Sequence, residues 1–161
     1  YEFLITIGIA AFTVGIGFLA HELAHKFIAQ KFGCWAEFRS FDTMLIIAIA
    51  MSFFGFVLAA PGGVFIRGKG SLKHNGLISA SGPATNIVIS LLFLAAAFLV
   101  PAGLAKTVAV YGFVINSWLA AFNMLPFFNF DGKKVLGWSK TAYALLLGLS
   151  IALVLAQGFL F

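Results

Sequence analysis

FLITIGIAAFTVGIGFLAHELAHKFIAQK, from Phe3 to Lys31, carries no Asp, Glu, Lys or Arg before Glu22 and no proline. Its uncharged run, Phe3 to Ala20 or slightly beyond, approaches the ~20 helical residues that cross a hydrocarbon core about 30 Å thick. One long helix is expected over Glu2 to Lys31, capped by Gly33. Working outward, three more long uncharged runs follow: Gly76 to Ala105, Thr107 to Phe130 and Thr141 to Phe161. A fifth apolar stretch, Thr43 to Ala60, is shorter and ends in Pro61-Gly62-Gly63. Labelled A to E in chain order, the segments have expected bounds. C starts near Asn75 and stops before Pro101, D runs from about Leu104 to Pro126, and E starts at Lys140.

Composition agrees with that pattern. Charged residues make up 9% of the 161, against roughly 25% in soluble domains, and the mean hydropathy is +1.07. Lipid is therefore the expected solvent. The single Cys34 excludes an internal disulfide. The net charge of +5 is explained by basic connectors between apolar segments, so nucleic acid is not an expected partner. The chain does not begin with Met, and residues are expected upstream. The whole chain, 1–161, reads as a single membrane-embedded domain.

Topology turns on segment B. If B spans, the ten basic residues divide into Lys26, Lys31, Arg39 and Lys106 on one side and the remaining six on the other. If B dips in and returns, only Lys106 lies opposite the other nine. The second arrangement obeys the positive-inside bias better and makes the nine-residue side cytosolic. The expected architecture is thus an all-α polytopic membrane protein with a three-helix core of A, C and D. A re-entrant B and a further C-terminal helix complete it. The protein is expected to be multi-pass in the cell membrane.

The chemistry lies in His21-Glu22-Leu23-Ala24-His25, an HExxH pattern. On a helix, residues four apart share a face, so both imidazoles can reach one metal ion, and Glu22 can orient and deprotonate a water held there. A catalytic zinc usually takes three protein ligands. The third histidine, His74, sits between Lys73 and Asn75 and reads as a solvated loop residue. Two acids remain as candidates: Asp42, beside Arg39, and Asp131, which follows seven mostly apolar residues. Asp131 could instead pair with Lys133 or Lys134. With B re-entrant, A and D run in the same direction, which puts HELAH and Asp131 at the same, cytosolic, side. With B spanning, they could not meet.

HExxH in one apolar helix, with Phe122, Asn123 and Pro126 and then Asp131-Gly132 beyond a later one, resembles the site-2 protease family of intramembrane zinc metalloproteases. In character it is closest to archaeal members without soluble regulatory domains. Ser81-Gly82-Pro83-Ala84-Thr85-Asn86 is similar to the family's glycine-proline-asparagine pattern. Ala60 to Val64 resembles the segment before a short membrane-associated strand. The resemblance implies one zinc ion held by His21, His25 and Asp131, and peptide hydrolysis by a Glu22-activated water. It also implies that Asn123 donates to the substrate carbonyl. The implied substrate is a membrane-spanning protein segment, reached within the lipid bilayer. Asn86 reads more simply as a helix-packing residue.

Val64, Phe65 and Ile66 are expected to form a strand, and edge pairing with it would supply an unwound substrate with hydrogen bonds that lipid cannot. A zinc-binding or transport protein without proteolytic activity is the alternative. It calls for a polar path across the membrane, and only Thr6, Thr13 and Ser90 stand out on the far side of A, C and D.

Overall fold

The computed structural model describes residues 2–43, 46–47, 50, 62–68 and 71–160. Its elements run α1 (Glu2–Lys31), β1 (Trp35–Ser40), β2 (Gly62–Arg67), α2 (Leu72–Leu99), α3 (Leu104–Asn123), α4 (Asp131–Trp138) and α5 (Lys140–Leu160). Four of these helices, α1, α2, α3 and α5, are long and apolar enough to cross a membrane. The stretch expected to re-enter falls almost wholly outside the described residues.

The helices pack inside out relative to a soluble bundle. Large side chains such as Phe3, Leu92, Leu99, Leu145 and Phe159 are exposed, whereas Thr13, Asn86, Ser90, Asn116, Ser117 and Ser150 are fully buried. Lipid-facing helices gain nothing by hiding leucine from a hydrocarbon solvent. They associate through small residues and interhelical hydrogen bonds. The contact surfaces duly contain Ala29, Ala97, Ala109 and Ala120. At one such contact Ser90 Oγ lies 2.7 Å from Ser117 Oγ and donates to Phe113 O at 3.1 Å. Helix α2 is central and packs against α1, α3 and α4, while α5 lies mainly against α3 and α4.

The end of α1 follows its sequence closely. Gly33 takes φ 73°, Gly33 N–H donates to Gln30 O at 2.9 Å and Cys34 N–H to Ala29 O at 3.0 Å. That pair of bonds is a Schellman cap, and it turns the chain directly into β1. Strands β1 and β2 pair antiparallel, with Glu37 opposite Phe65 and Phe38 opposite Val64.

Three expectations need correction. Helix α2 begins at Leu72 rather than near Asn75, because Ser71 Oγ accepts from His74 N–H at 3.2 Å and caps it. His74 is therefore not a solvated loop residue. It sits in the first turn, stacked on Phe32 with ring centroids 4.2 Å apart. Segment D ends at Asn123, three residues short of Pro126, because that proline cannot accommodate the helix carbonyl four residues before it, and the residues from Asp131 form a further short helix, α4.

Candidate metal centre

His21 and His25 are both buried on the face of α1 that meets α2. Each ring has its Nδ1 occupied. His21 Nδ1 lies 2.5 Å from Asn86 Oδ1. His25 Nδ1 lies 2.7 Å from Ile78 O, a carbonyl that also accepts from Ser81 Oγ at 2.6 Å. Both partners can only accept, so both rings carry the proton on Nδ1 and present the Nε2 lone pair. This is the outer-shell arrangement that orients metal-binding histidines.

Asp131 closes the cluster from the other end of the chain. Its Oδ2 lies 3.2 Å from His21 Nε2 and 3.0 Å from His25 Nε2. Its Oδ1 is 4.0 Å from Lys134 Nζ, so the lysine is a distant partner and the histidines are the near ones. With both Nε2 atoms unprotonated, neither ring donates to Oδ2, and a cation placed among the three atoms would favour the charged carboxylate. Asp131 opens α4, where the helix dipole also favours negative charge.

Glycines let these parts approach. A Cβ on Gly132 would come 2.1 Å from Met124 O, so only glycine lets α4 fold back tightly enough behind Asp131. A Cβ on Gly82 would come 2.5 Å from both His21 Nε2 and His25 Nε2. The missing side chain leaves a seat in front of the two lone pairs.

The donor set fits zinc. Tetrahedral zinc, with bonds of about 2.0–2.2 Å, needs ligand atoms about 3.3–3.5 Å apart, and Asp131 Oδ2 already stands at 3.0 and 3.2 Å from the two nitrogens. Ligand atoms of His21, Glu22 and His25 also lie within 4.8 Å of one another. Glu22 Oε2, however, accepts a hydrogen bond from Val64 N–H at 2.9 Å. The structure therefore gathers His21, Glu22, His25 and Asp131 in one place.

Other acids and amides lie elsewhere. Asn123 Nδ2 donates to Leu119 O at 2.9 Å, back along its own helix. Asp42 accepts from Ser40 Oγ at 3.0 Å, and Arg39 pairs with Glu37 rather than with Asp42. Sequence reasoning placed Asn86 in packing, whereas here its amide oxygen faces His21. It also passed over Asn116, whose Oδ1 accepts from Asn86 Nδ2 at 3.0 Å. The available signal was a strongly polar amide inside an apolar helix.

Over 140 residues, 85% of this chain and 73% of its relative, the chain is 39% identical to the "Putative zinc metalloprotease" of Methanocaldococcus jannaschii. No family model and no solved structure matches. That identity over most of both chains accords with a His-Glu-His cluster able to hold a metal, and the chain belongs to this zinc metalloprotease family.

Proposed function

We propose that the chain is an intramembrane endopeptidase of the site-2 type, with zinc on His21, His25 and Asp131 and with Glu22 as the base. The observation that carries this is the convergence of two imidazole Nε2 atoms on Asp131 Oδ2 within a bundle of lipid-compatible helices. Bound zinc would supply a Lewis acid that lowers the pKa of water and polarises a peptide carbonyl. Asp131 is the better third ligand because its Oδ2 touches both rings, while Glu22 Oε2 is turned to a backbone N–H. That leaves Glu22 beside the centre to take a proton from the attacking water and pass it to the leaving amine. Asn123 is assigned the carbonyl-donating role, which requires its amide to leave Leu119 O.

Depth supports action within a membrane. At 1.5 Å per residue, His21 lies about 28 Å along α1, near the end of its uncharged run. The site would then sit toward the cytosolic end of the apolar layer, where water can reach it.

Substrate presentation falls to β2. In an antiparallel pair, alternate residues turn both backbone groups toward the partner strand or away from it. Val64 N–H reaches Glu22, so Val64 and Ile66 face the edge that, among the described residues, no strand covers, and Phe65, opposite Glu37, faces β1. The edge on offer to a substrate strand is thus that of Val64 and Ile66. A substrate pairing there competes with Glu22 for Val64 N–H and releases the carboxylate as it binds.

The alternative of zinc transport has less support. Buried polar groups along the bundle bond to one another and to helix carbonyls. Among the described residues, Gln157 Nε2 is the one buried side-chain polar atom without a partner. The test is cleavage of a purified membrane-spanning substrate in detergent by wild type and by Glu22→Gln. Equal cleavage by both would overturn the assignment.

A further inference from the structure

Asn86 and Asn116 are fully buried, on α2 and α3. They form a chain of hydrogen bonds that ends on His21. Asn116 Nδ2 donates to Gly112 O at 2.9 Å. Asn86 Nδ2 donates to Asn116 Oδ1 at 3.0 Å and to Gly17 O at 3.0 Å. Asn86 Oδ1 faces His21 Nδ1.

The direction of this chain is fixed by its ends. Gly112 O and Gly17 O are backbone carbonyls and can only accept. Gly112 O therefore takes the amide NH₂ of Asn116 and turns Asn116 Oδ1 toward Asn86. Asn86 must then present its NH₂ to Asn116 and Gly17, and its oxygen to His21. An oxygen at that place requires the proton on His21 Nδ1, which frees Nε2. If the Asn86 amide were reversed, its NH₂ would face Nδ1, the ring proton would move to Nε2, and the lone pair aimed at Asp131 would be gone.

We propose that Asn116 is a positioning residue, acting through Asn86 to hold His21 in the tautomer that leaves Nε2 free for a metal. The proposal rests on the metal-centre reading above and extends it to a third helix that contributes no ligand. It also gives Gly17 a purpose, since a Cβ there would come 2.5 Å from Asn116 Oδ1. A side chain at position 17 would push the amide out of the chain, although alanine suits a helix better than glycine.

The experiment uses the full chain in detergent, with ¹⁵N-labelled histidine, as wild type and as Asn116→Leu, Asn116→Asp, Gly17→Ala and Ser117→Ala. Ring nitrogen shifts of the metal-free protein report the His21 tautomer, assigned by single-histidine replacement. Chelator competition with zinc alone reports affinity. Wild type should show His21 protonated on Nδ1. Asn116→Leu and Gly17→Ala should lose that single tautomer and weaken zinc binding by about 10–100-fold, the usual effect of an outer-shell change. Asn116→Asp, neutral in this apolar setting, can still accept from Asn86 and donate to Gly112 O, and should keep both properties. Ser117→Ala removes a buried hydrogen bond from the next position on α3 and should change neither.

Wild-type tautomer and affinity in both Asn116→Leu and Gly17→Ala would overturn the proposal. If Asn116→Leu fails to fold, an unaltered Gly17→Ala overturns it alone. A wild-type protein that binds zinc in the stated tautomer yet cleaves nothing would support the relay and refute only the proposed reaction.

Discussion

Replacing Gly82 with alanine sets the metal centre against the helix that carries it. In most helix interiors this change stabilises by about 0.8–1.0 kcal/mol. Here the new Cβ would stand 2.5 Å from His21 Nε2 and His25 Nε2 and 2.6 Å from His21 Cε1. Ordinary contact begins at 3.4 Å, so rings or backbone must shift by about 0.9 Å, since 3.4 − 2.5 = 0.9. Metal–ligand distances tolerate about 0.2 Å, and α2 is the central helix and cannot easily yield. The expected result is loss of one or both imidazoles as ligands. Structural zinc binding is worth about 10–16 kcal/mol, or roughly 3–5 for each of three ligands. At about 1.4 kcal/mol per tenfold, zinc affinity should fall by roughly 100- to 5000-fold for each imidazole lost. In the metal-free protein the clash, about 1–3 kcal/mol of overpacking, and the helix gain of about 1 kcal/mol oppose each other, so its stability should change by no more than about 2 kcal/mol. Chelator competition and thermal unfolding with and without EDTA measure the two effects. Wild-type zinc affinity in a folded Gly82→Ala protein would show that the two Nε2 atoms do not hold the metal.

Other expected outcomes follow from the same geometry. Glu22→Gln should retain zinc and lose about 10²–10⁴-fold in cleavage, the usual worth of a general base; unchanged turnover would remove Glu22 from that role. Asp131→Asn should lower zinc content below one per chain by elemental analysis, and full occupancy would take Asp131 out of the ligand set. Val64→Pro should abolish cleavage of a helical substrate while zinc content is kept, whereas Phe65→Pro should lower thermal stability by breaking the β1–β2 ladder; identical phenotypes would contradict the strand orientation. Cysteines at Lys31 and Lys133, both exposed, should react with an impermeant thiol reagent from the same side of the membrane, and a cysteine at Lys106 from the other. Cys34 itself is buried and cannot serve as the reporter.

What was legible in the sequence was local in the chain or fixed by composition. HELAH declares itself because i and i+4 must share a helix face, and the Gly33 cap because a left-handed residue must end α1. Asp131 was found by its cost: an acid after an apolar run needs partners, and the charge bias put it at the same end as the histidines. What was hidden depends on contacts between elements. The short helix α4 carries Lys133 and Lys134 in its middle and resembles a basic connector until Gly132 is seen pressed on Met124 O. The outward parity of Val64 and Ile66 depends on the register with β1, and no feature of GGVFIR fixes that register. Asn116 was visible as a polar residue in an apolar helix, but its partner on α2 was not.

The inside-out packing makes these hidden contacts decisive. In water, a misplaced asparagine exchanges one hydrogen bond for another to solvent at little cost. Among helices in hydrocarbon no such exchange is available, so a buried amide keeps the orientation its neighbouring carbonyls impose. Two imidazoles four residues apart would otherwise sample both tautomers. Acceptors from α2, Ile78 O for His25 and Asn86 Oδ1 for His21, remove that freedom before any metal arrives. The difference between them matters. Ile78 O is backbone and cannot be reversed, whereas Asn86 can, and it is Asn86 that the fold secures from two further helices through Gly17 O and Asn116 Oδ1. The ligand whose partner could err is the one given additional support.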